Sequence, residues 1–244
     1  MKKFILLLLL VSTKSLFAQG DREITYGFFA GGIYSKMSNL PKVIIPNESL
    51  YAGYNLAEEG KFGATTGFVI NWKYPYANVA IQTEVSYSMQ GTDLNYTDKK
   101  GLRYKMTFGY SYINVGASFK YYPIEGFYVG VGPYVGFNLD GNNIKYSSNA
   151  QQVFGNSGVY FEPDANVQKV LKESLTGKNY FYGMLSAGYE FSSNLSVGAR
   201  YTLGLTDALT TEENGHRYSE NKNKMNSISL IIGYSFDFDD LGNF

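Results

Sequence analysis

The sequence predicts an all-β protein, an eight-stranded antiparallel up-and-down transmembrane β-barrel with short periplasmic turns and long extracellular loops. Three observations lead to this fold class. Eight segments alternate apolar and polar residues with a period of two, which is typical of strands with one apolar and one polar face. Short and long connections alternate between the segments, and the charges within strands fall on the polar face. In a membrane barrel that face lines the lumen.

The clearest strand is residues 79–90, VAIQTEVSYSMQ, where every odd position except Thr83 is apolar or aromatic. A single strand of this kind does not say which face points outward, and the other segments decide it. For this strand, we expect lipid to contact Val79, Ile81, Val85 and Met89, and the lumen to contain Gln82, Glu84 and Ser86. The predicted strands cover about 24–36, 62–72, 79–90, 103–122, 127–139, 180–191, 195–205 and 226–238.

The fourth segment changes its pattern halfway along. Its bulky residues occupy even positions from Tyr104 to Tyr112 and odd positions from Ile113 to Tyr121. Such a reversal is typical of a β-bulge. It is equally typical of a strand that extends beyond the membrane, and the sequence leaves both interpretations open.

The connections differ in length from one end of the predicted barrel to the other. Short turns fall at about 73–78, 123–126 and 192–194, and long loops at about 37–61, 91–102, 140–178 and 206–224. An even strand count with all long loops at one end is typical of bacterial outer-membrane barrels. The longest loop contains a predicted surface helix that Asp164 caps and Gly177 ends, with a plug or ligand lid as the alternative.

The charged residues within strands indicate which face is inside. Glu84, Lys120, Glu190 and Arg200 all lie on the polar, glycine-rich face. A cation facing lipid at the membrane midplane costs about 2–4 kcal/mol, so these four are predicted to form a structural ion network that plugs the narrow lumen. A proton or ion path is the alternative.

Aromatic and glycine residues support the same orientation. Glycines on the polar face leave room for inward side chains such as Tyr128, Tyr134 and Arg200. Aromatic residues near strand ends are typical of membrane-interface girdles. The predicted girdle residues are Trp72, Tyr74, Tyr76, Tyr121, Tyr122, Phe236 and Phe238.

The first residues indicate export. Lys2 and Lys3 precede an apolar run at 4–11, which is too short to span a bilayer as a helix. We therefore predict a Sec signal peptide at 1–18 and a single outer-membrane barrel domain at 19–244. Removing 1–18 takes three lysines from the 21 basic residues and leaves all 21 acidic ones, a net charge of −3. That value argues against nucleic acid as a partner.

No motif predicts catalysis, a cofactor or a metal. The glycines from Gly130 to Gly136 lie within a strand and have the wrong spacing for a nucleotide loop. His216, the one histidine, lies near Ser219 in a polar loop, which is weak support for a nucleophilic site. Acidic residues at the last strand end (Asp237, Asp239 and Asp240) fit no calcium loop. The prediction is a protein that is not an enzyme.

Three segments resemble the PorT-like outer-membrane β-barrel family, small eight-stranded barrels of the OmpX and OmpA kind. They are FYVGVGPYVGF at 127–137, GYEFSSNLSVGARYTLGLTD at 188–207 and ISLIIGYSFDF at 228–238. Asn114 and Gly116 depart from the family's usual pattern, which removes an inward acid. The resemblance implies a cell outer-membrane location and a role near secretion machinery. The last strand, with alternate aromatics ending at Phe238, resembles the signal that the barrel-assembly machinery reads.

The predicted function is therefore a non-enzymatic integral outer-membrane barrel with a filled lumen. Its partners would be the lipid bilayer, the barrel-assembly machinery and an unidentified extracellular or envelope protein. Three alternatives stay open: an outer-membrane lipid-modifying enzyme, narrow porin-like transport of small solutes, and a soluble lipocalin-like binder with the opposite orientation.

Overall fold

The computed structural model describes residues 23–40, 55–98, 101–158, 160, 162–213, 216–217 and 223–237. Its strands are β1 Glu23–Met37, β2 Asn55–Tyr74, β3 Val79–Thr97, β4 Arg103–Ile124, β5 Phe127–Asn138, β6 Ile144–Ser148, β7 Leu175–Gly177, β8 Tyr180–Glu190, β9 Leu195–Gly204, β10 Leu209–Glu213, β11 His216–Arg217 and β12 Met225–Phe236. Its helices are α1 Ala150–Phe154 and α2 Asp164–Ser174. Within the described residues, neither helix is long and apolar enough to cross a bilayer.

Eight long strands close into a barrel. Their order is β3-β2-β1-β12-β9-β8-β5-β4, every neighbouring pair is antiparallel, and β3 also pairs with β4. Each of the eight strands therefore has a hydrogen-bonded partner on both sides, so the backbone polar groups are satisfied without water. The predicted eight-stranded barrel is confirmed, and every predicted strand corresponds to one of these eight elements.

Tight turns join the strands at one end, here called the turn end. The β2–β3 connection is a 3-10 turn, Pro75–Ala77, followed by Asn78 at φ 52°. Gly126, at φ 76°, joins β4 to β5, and Asn194, at φ 65°, helps join β8 to β9. Asn and Gly tolerate this left-handed backbone. The opposite, extracellular end carries the longer connections and is called the loop end.

The strand faces match the predicted orientation. On β3, Val85 and Met89 are half exposed, whereas Gln82, Glu84 and Ser86 are buried. The outward face forms an apolar belt around the barrel, and a strand needs about 9–11 residues to cross the hydrocarbon core of a bilayer. Its most exposed members include Phe28, Val85, Val131, Leu185, Ile228, Leu230 and Ile232.

The pattern reversal in β4 comes from an extension beyond the belt. The β3–β4 register runs without a shift from Val79↔Tyr121 to Thr97↔Arg103, so even residues of β4 face inward throughout. Outward residues are apolar from Tyr121 to Ile113 and small or polar from Ser111 to Arg103. Past the belt, water replaces lipid outside, and the apolar side chains turn to the inner face. Register shifts do occur, but away from the reversal: in β2 between Gly60 and Thr65, and between Tyr121 and Ile124 where β4 pairs with β5 near the turn end.

One predicted long loop is therefore wrong, and another is shorter than predicted. Most of 91–102 belongs to β3, which ends at Thr97, and β4 begins at Arg103. The later part of 37–61 is the start of β2 at Asn55. Above the belt, segments of β2, β3, β4 and β6 form a four-stranded sheet, here called the upper sheet. Alternation alone missed it because the inner and outer faces exchange polarity at the membrane boundary.

One predicted girdle residue faces the wrong way. Tyr122 is 5% exposed and points into the lumen, whereas Tyr121 and Tyr76 are exposed near the turn end. At the other side of the belt, Tyr34 and Phe62 form an aromatic pair with ring centroids 4.9 Å apart. Phe238 and the predicted signal peptide at 1–18 lie outside the described residues, so those predictions stay predictions.

The loop helix forms as predicted, but its ends differ. Pro163 is the N-cap, Asp164 makes no capping hydrogen bond as the first helical residue, and Leu175 is the C-cap in an extended conformation. Gly177 belongs to β7. The Asp164 carboxylate instead accepts hydrogen bonds from the Ser148 amide and hydroxyl, at 2.8 and 2.6 Å. Asp164 therefore bonds to Ser148, 16 residues away, instead of capping its own helix.

Glycines on the inner face permit close approach between strands. A Cβ on Gly132 would lie 1.9 Å from the backbone oxygen of Ala117, whereas a Cβ on the outward Gly183 meets nothing within 4 Å. We expect Gly132→Ala to destabilise the barrel by about 1–3 kcal/mol or more, because backbone cannot move aside as a side chain can. Gly183→Ala should leave stability unchanged. Urea unfolding in lipid vesicles compares the two, and equal stabilities would contradict this packing.

Candidate functional site: a closed lumen and the upper sheet

The first inward ion pair joins strands on opposite sides of the barrel. Arg200 of β9 donates from Nη1 to Glu84 Oε1 of β3 at 3.0 Å. The two side chains are 8% and 2% exposed. The Arg200 guanidinium also lies 4.3 Å from the ring centroid of Phe29, a cation–π contact. Two residues of opposite charge thus meet inside the barrel, each from a strand on the opposite side.

The second pair lies nearer the turn end. Lys120 Nζ donates to Glu190 Oε1 at 2.9 Å. The hydroxyl of Tyr122 lies 3.0 Å from both Glu190 oxygens, and Lys73 Nζ lies 3.9 Å from Oε2. Lys120 also lies 4.0 Å from the centroid of the Tyr128 ring. Glu190 is therefore the shared acceptor of a cluster in which sequence reasoning identified two members and missed Tyr122 and Lys73.

The four predicted lumen residues lie together as two pairs, and within the described residues no ion pair links one to the other. A cavity of about 30 Å³ borders both pairs, with Gln82 and Asn71 in its wall. This is room for about one water molecule. Their role as a network that plugs the lumen stays a prediction.

A polar vestibule leads to this cluster from the turn end. Its volume is about 510 Å³, and its lining includes Glu23, Lys73, Glu125 and Glu190. Glu190 thus lies at the boundary between the vestibule and the ion pairs. Glu190 also lines the small cavity, which extends from there to Arg200.

A layer of tyrosines closes the lumen towards the loop end. The rings of Tyr134 and Tyr182 stack with centroids 5.4 Å apart, Tyr180 stacks on Tyr182 at 5.1 Å, and Tyr112 meets Tyr180 edge-on at 5.0 Å. All four are at most 5% exposed. Glycines make the room: a Cβ on Gly116 would lie 2.3 Å from the Tyr134 ring. The barrel therefore contains an aromatic barrier above its ionic one.

Loop residues cover the tyrosine layer. One continuous buried cluster joins the tyrosines to apolar side chains from the loop-end connections and strand ends, namely Met37, Leu40, Leu94, Phe108, Ile144, Leu175, Ala208, Leu209 and Met225. Buried Asn223 holds the last connection in place, because its Oδ1 accepts from the Ala208 and Leu209 amides at 2.9 and 2.7 Å. The loop end is thus folded over the lumen.

Helix α2 covers the free edge of the upper sheet. Gln168 accepts a hydrogen bond from the Tyr146 amide at 3.1 Å, and Asp164 accepts from the Ser148 amide at 2.8 Å. These β6 donors would otherwise face outward from an unpaired strand edge. Burial raises the pKa of the Tyr146 hydroxyl, and the nearby Asp164 carboxylate adds to the rise.

Removing the Asp164 carboxylate should loosen this edge. We expect Asp164→Ala to speed hydrogen exchange at the Ser148 amide by roughly ten-fold, the value of about one hydrogen bond to a charged group. Exchange measured by mass spectrometry on β6 peptides tests this, with Glu173→Ala, an exposed acid of the same helix, as the control. Equal exchange rates at the Ser148 amide in both variants would contradict this role of Asp164.

An open cleft lies on the upper sheet beside α1. Its volume is about 570 Å³, and its lining includes Asn95, Arg103, Tyr104, Ser147 and Gln152. The ring of Tyr104 stacks on Tyr96 at 4.0 Å with an angle of 9° between the planes, which makes one wall rigid. Amide, hydroxyl and guanidinium groups beside an aromatic ring suit a polar ligand.

The residues considered for other chemistry are only partly described. His216 lies in β11 with Glu213 as its register partner, and Ser219 lies outside the described residues. Asp237 is described, whereas Asp239 and Asp240 are not. In the described part of the chain, no group of three or more histidine or acidic side chains could hold a metal ion.

A closed eight-stranded barrel with an apolar outside and ion pairs inside defines an integral outer-membrane protein. The family model described as outer membrane protein beta-barrel domain matches residues 17–210. The chain belongs to this family, and the protein is located in the outer membrane. No curated protein matches the chain.

Three solved structures are similar to this chain over most of its length. Neisserial surface protein A is 10% identical, with 86% of this chain and 97% of that chain covered and a TM-score of 0.38. Ail of Yersinia pestis, in complex with the heparin analogue sucrose octasulfate, is 14% identical, with 88% and 99% covered and a TM-score of 0.36. OprG of Pseudomonas aeruginosa is 11% identical, with 89% and 98% covered and a TM-score of 0.40. Values this low support no inference about ligands or partners.

Proposed function

We propose that this protein is a non-enzymatic outer-membrane barrel that acts through its upper sheet and loops, and that it does not conduct solutes. The observation that supports the proposal is that two layers of side chains meet across the lumen, the Arg200–Glu84 pair at 3.0 Å and the stacked rings of Tyr134 and Tyr182 at 5.4 Å. A pathway for solutes would have to open both layers and displace the covering loop residues. The upper sheet with its polar cleft is the part of the molecule that is built for contact outside the membrane.

Two finer assignments belong to the same proposal. The segments at 127–137, 188–207 and 228–238 resemble the PorT-like family, which supports a role near envelope protein machinery. Delivery by a signal peptide at 1–18 is supported by Lys2, Lys3 and the apolar run at 4–11. Insertion by the barrel-assembly machinery is supported by the alternate aromatic residues of the last strand. A lipid-modifying enzyme has only the sequence proximity of His216 and Ser219 in its favour.

Planar-bilayer recording tests the closed lumen. The folded protein, verified by heat-modifiable gel migration, should insert without steady single-channel conductance. Steady conductance would contradict the proposal and favour narrow porin-like transport. Hydrolysis of lipid that His216→Ala abolishes would contradict the non-enzymatic assignment, and the same rate in both proteins would point to a contaminant and leave the assignment standing.

Site-specific photo-crosslinking in the native host tests the surface role. A photoreactive residue at Lys105, exposed on the upper sheet, should yield a discrete protein adduct. The same residue at Leu230, in the apolar belt, is the matched control and should yield lipid products instead. Protein adducts at position 230 with none at 105 would contradict a role for the upper sheet.

A further inference from the structure

Two hydrogen-bond donors converge on the outer surface of the barrel just above the apolar belt. Gly91 and Gly109 face each other in the β3–β4 register and leave the strand surface bare. The stem of Lys61 crosses this bare surface, with Cδ 3.1 Å from the position of a Cβ on Gly91. Lys61 Nζ and Asn143 Nδ2 then lie 3.7 and 3.8 Å from the position of a Cβ on Gly109.

These donors are available for a ligand. Within the described residues, neither Lys61 nor Asn143 makes a side-chain hydrogen bond or ion pair. Asn143 is held in place by its backbone, since its carbonyl accepts from the Gly109 amide at 3.1 Å. Lys145, exposed two residues further along β6 opposite Thr107, adds a second positive charge on the same face.

The position of this site just above the apolar belt is a second observation, because it places the two donors at the level of the lipid headgroups. On the same face of β4, Ser111 is the next residue towards the membrane, where it accepts a hydrogen bond from the Tyr87 hydroxyl at 3.0 Å, and Ile113 follows. Phe62, directly after Lys61, is 83% exposed and forms the tilted aromatic pair with Tyr34 at the loop-end side of the belt. Two residues of strand span about 7 Å, and the headgroup layer extends about 5–8 Å beyond the hydrocarbon.

We propose that Lys61 and Asn143, converging over Gly109, bind an oxyanion of the phosphate type in the headgroup of an anionic lipid of the outer leaflet. A phosphate oxygen placed over Gly109 would accept from the ammonium and from the amide, and the glycine leaves room for it. Asp140 is an acidic neighbour, and its Oδ2 accepts from the Ser111 amide at 3.1 Å. Next on the same face, Asp93 is paired with Lys105 at 2.5 Å and lies in register with the exposed Glu59, so Lys61 and Lys145 are the cations of this face that no acid among the described residues neutralises by a direct ion pair.

Lipid retention tests the site. The full protein is reconstituted into nanodiscs of equal phosphatidylcholine and phosphatidylglycerol, and native mass spectrometry measures which lipid stays bound. Wild type should retain phosphatidylglycerol in preference, and Lys61→Gln should lower that preference by about two- to five-fold, the range for one partly exposed ion pair. Lys169→Gln, which removes an exposed lysine of α2, should leave the preference unchanged.

A second variant separates binding from folding. Gly109→Ala puts a methyl group between the two donors. The nearest atoms to this methyl group, at 3.7 and 3.8 Å, are at ordinary contact distances, so the barrel should fold normally. The variant should nevertheless lose the preference for phosphatidylglycerol. Gly183→Ala on the outward face is the matched control. If Lys61→Gln and Gly109→Ala both fold and keep the wild-type preference, the site is refuted.

Inorganic phosphate distinguishes the lipid from a free anion. In phosphatidylcholine nanodiscs, the proposal predicts no saturable phosphate signal by ³¹P NMR at millimolar concentrations. It also predicts that phosphate does not displace bound phosphatidylglycerol. Saturable phosphate binding that Lys61→Gln abolishes, without any lipid preference, would overturn the assignment to a lipid headgroup.

Discussion

Replacing Arg200 with methionine should lower the free energy of unfolding by about 3–5 kcal/mol, the usual cost of leaving one member of a buried ion pair without its partner. The stranded group would be Glu84, which is 4% exposed in the lumen. Equilibrium urea unfolding in lipid vesicles measures this, with the single tryptophan, Trp72, as the fluorescent probe.

The double variant Arg200→Met with Glu84→Met distinguishes the effect of the two charges from the effect of side-chain packing. Because it removes both charges, it should recover most of the lost stability. If Arg200→Met costs less than about 1 kcal/mol, the value of a solvated surface pair, the lumen must contain enough water to solvate Glu84. The closed-lumen account would then be wrong.

Placing a cation on the outward face should lower the free energy of unfolding by nearly as much. Leu230 lies in the middle of β12 and is 68% exposed on the apolar belt. Leu230→Arg should therefore destabilise the barrel by about 2–4 kcal/mol, the cost of arginine at the bilayer midplane. The same urea titration measures it.

The matched control for that variant lies on the upper sheet. Thr107 faces outward on β4 above the belt, where water surrounds the sheet. Thr107→Arg should change the free energy of unfolding by no more than about 0.5 kcal/mol. Equal effects at positions 230 and 107 would mean that the belt does not lie in hydrocarbon.

Alternation was enough to predict the barrel and its orientation. Val85 and Ser86 differ by one position, and in a strand that places one outside and the other inside. The charges then identify the inner face, because Glu84 and Arg200 would be too costly in lipid. These arguments depend on local pattern and on membrane energetics, so the sequence alone supports them.

The contacts between distant strands could not be predicted in this way. Glu84 and Arg200 lie on strands that are not neighbours, and they meet because the barrel closes. Tyr122 was assigned to the girdle because a tyrosine suits an interface as well as a lumen, and its hydrogen bonds to Glu190 depend on the β4–β5 turn. The partner of Asp164, Ser148, is fixed by the packing of α2 on β6.

The upper sheet shows a second reason why the sequence alone did not predict the whole structure. A reversal of polarity in one strand fits either a bulge or a membrane boundary. Register shifts occur in β2 and at the turn end of β4, but the β3–β4 register is continuous, so the reversal in β4 marks the boundary. Strand register decides between them, and register is a property of the paired strands.

Spin labelling at single introduced cysteines tests the orientation most directly, since the chain contains no cysteine of its own. Labels at Val85 and Val115, half exposed on the belt, should be relaxed by oxygen dissolved in the bilayer and protected from a water-soluble nickel complex. A label at Lys105 should show the opposite preference. Strong nickel relaxation at Val85 and Val115 would contradict an outer surface that lies in hydrocarbon.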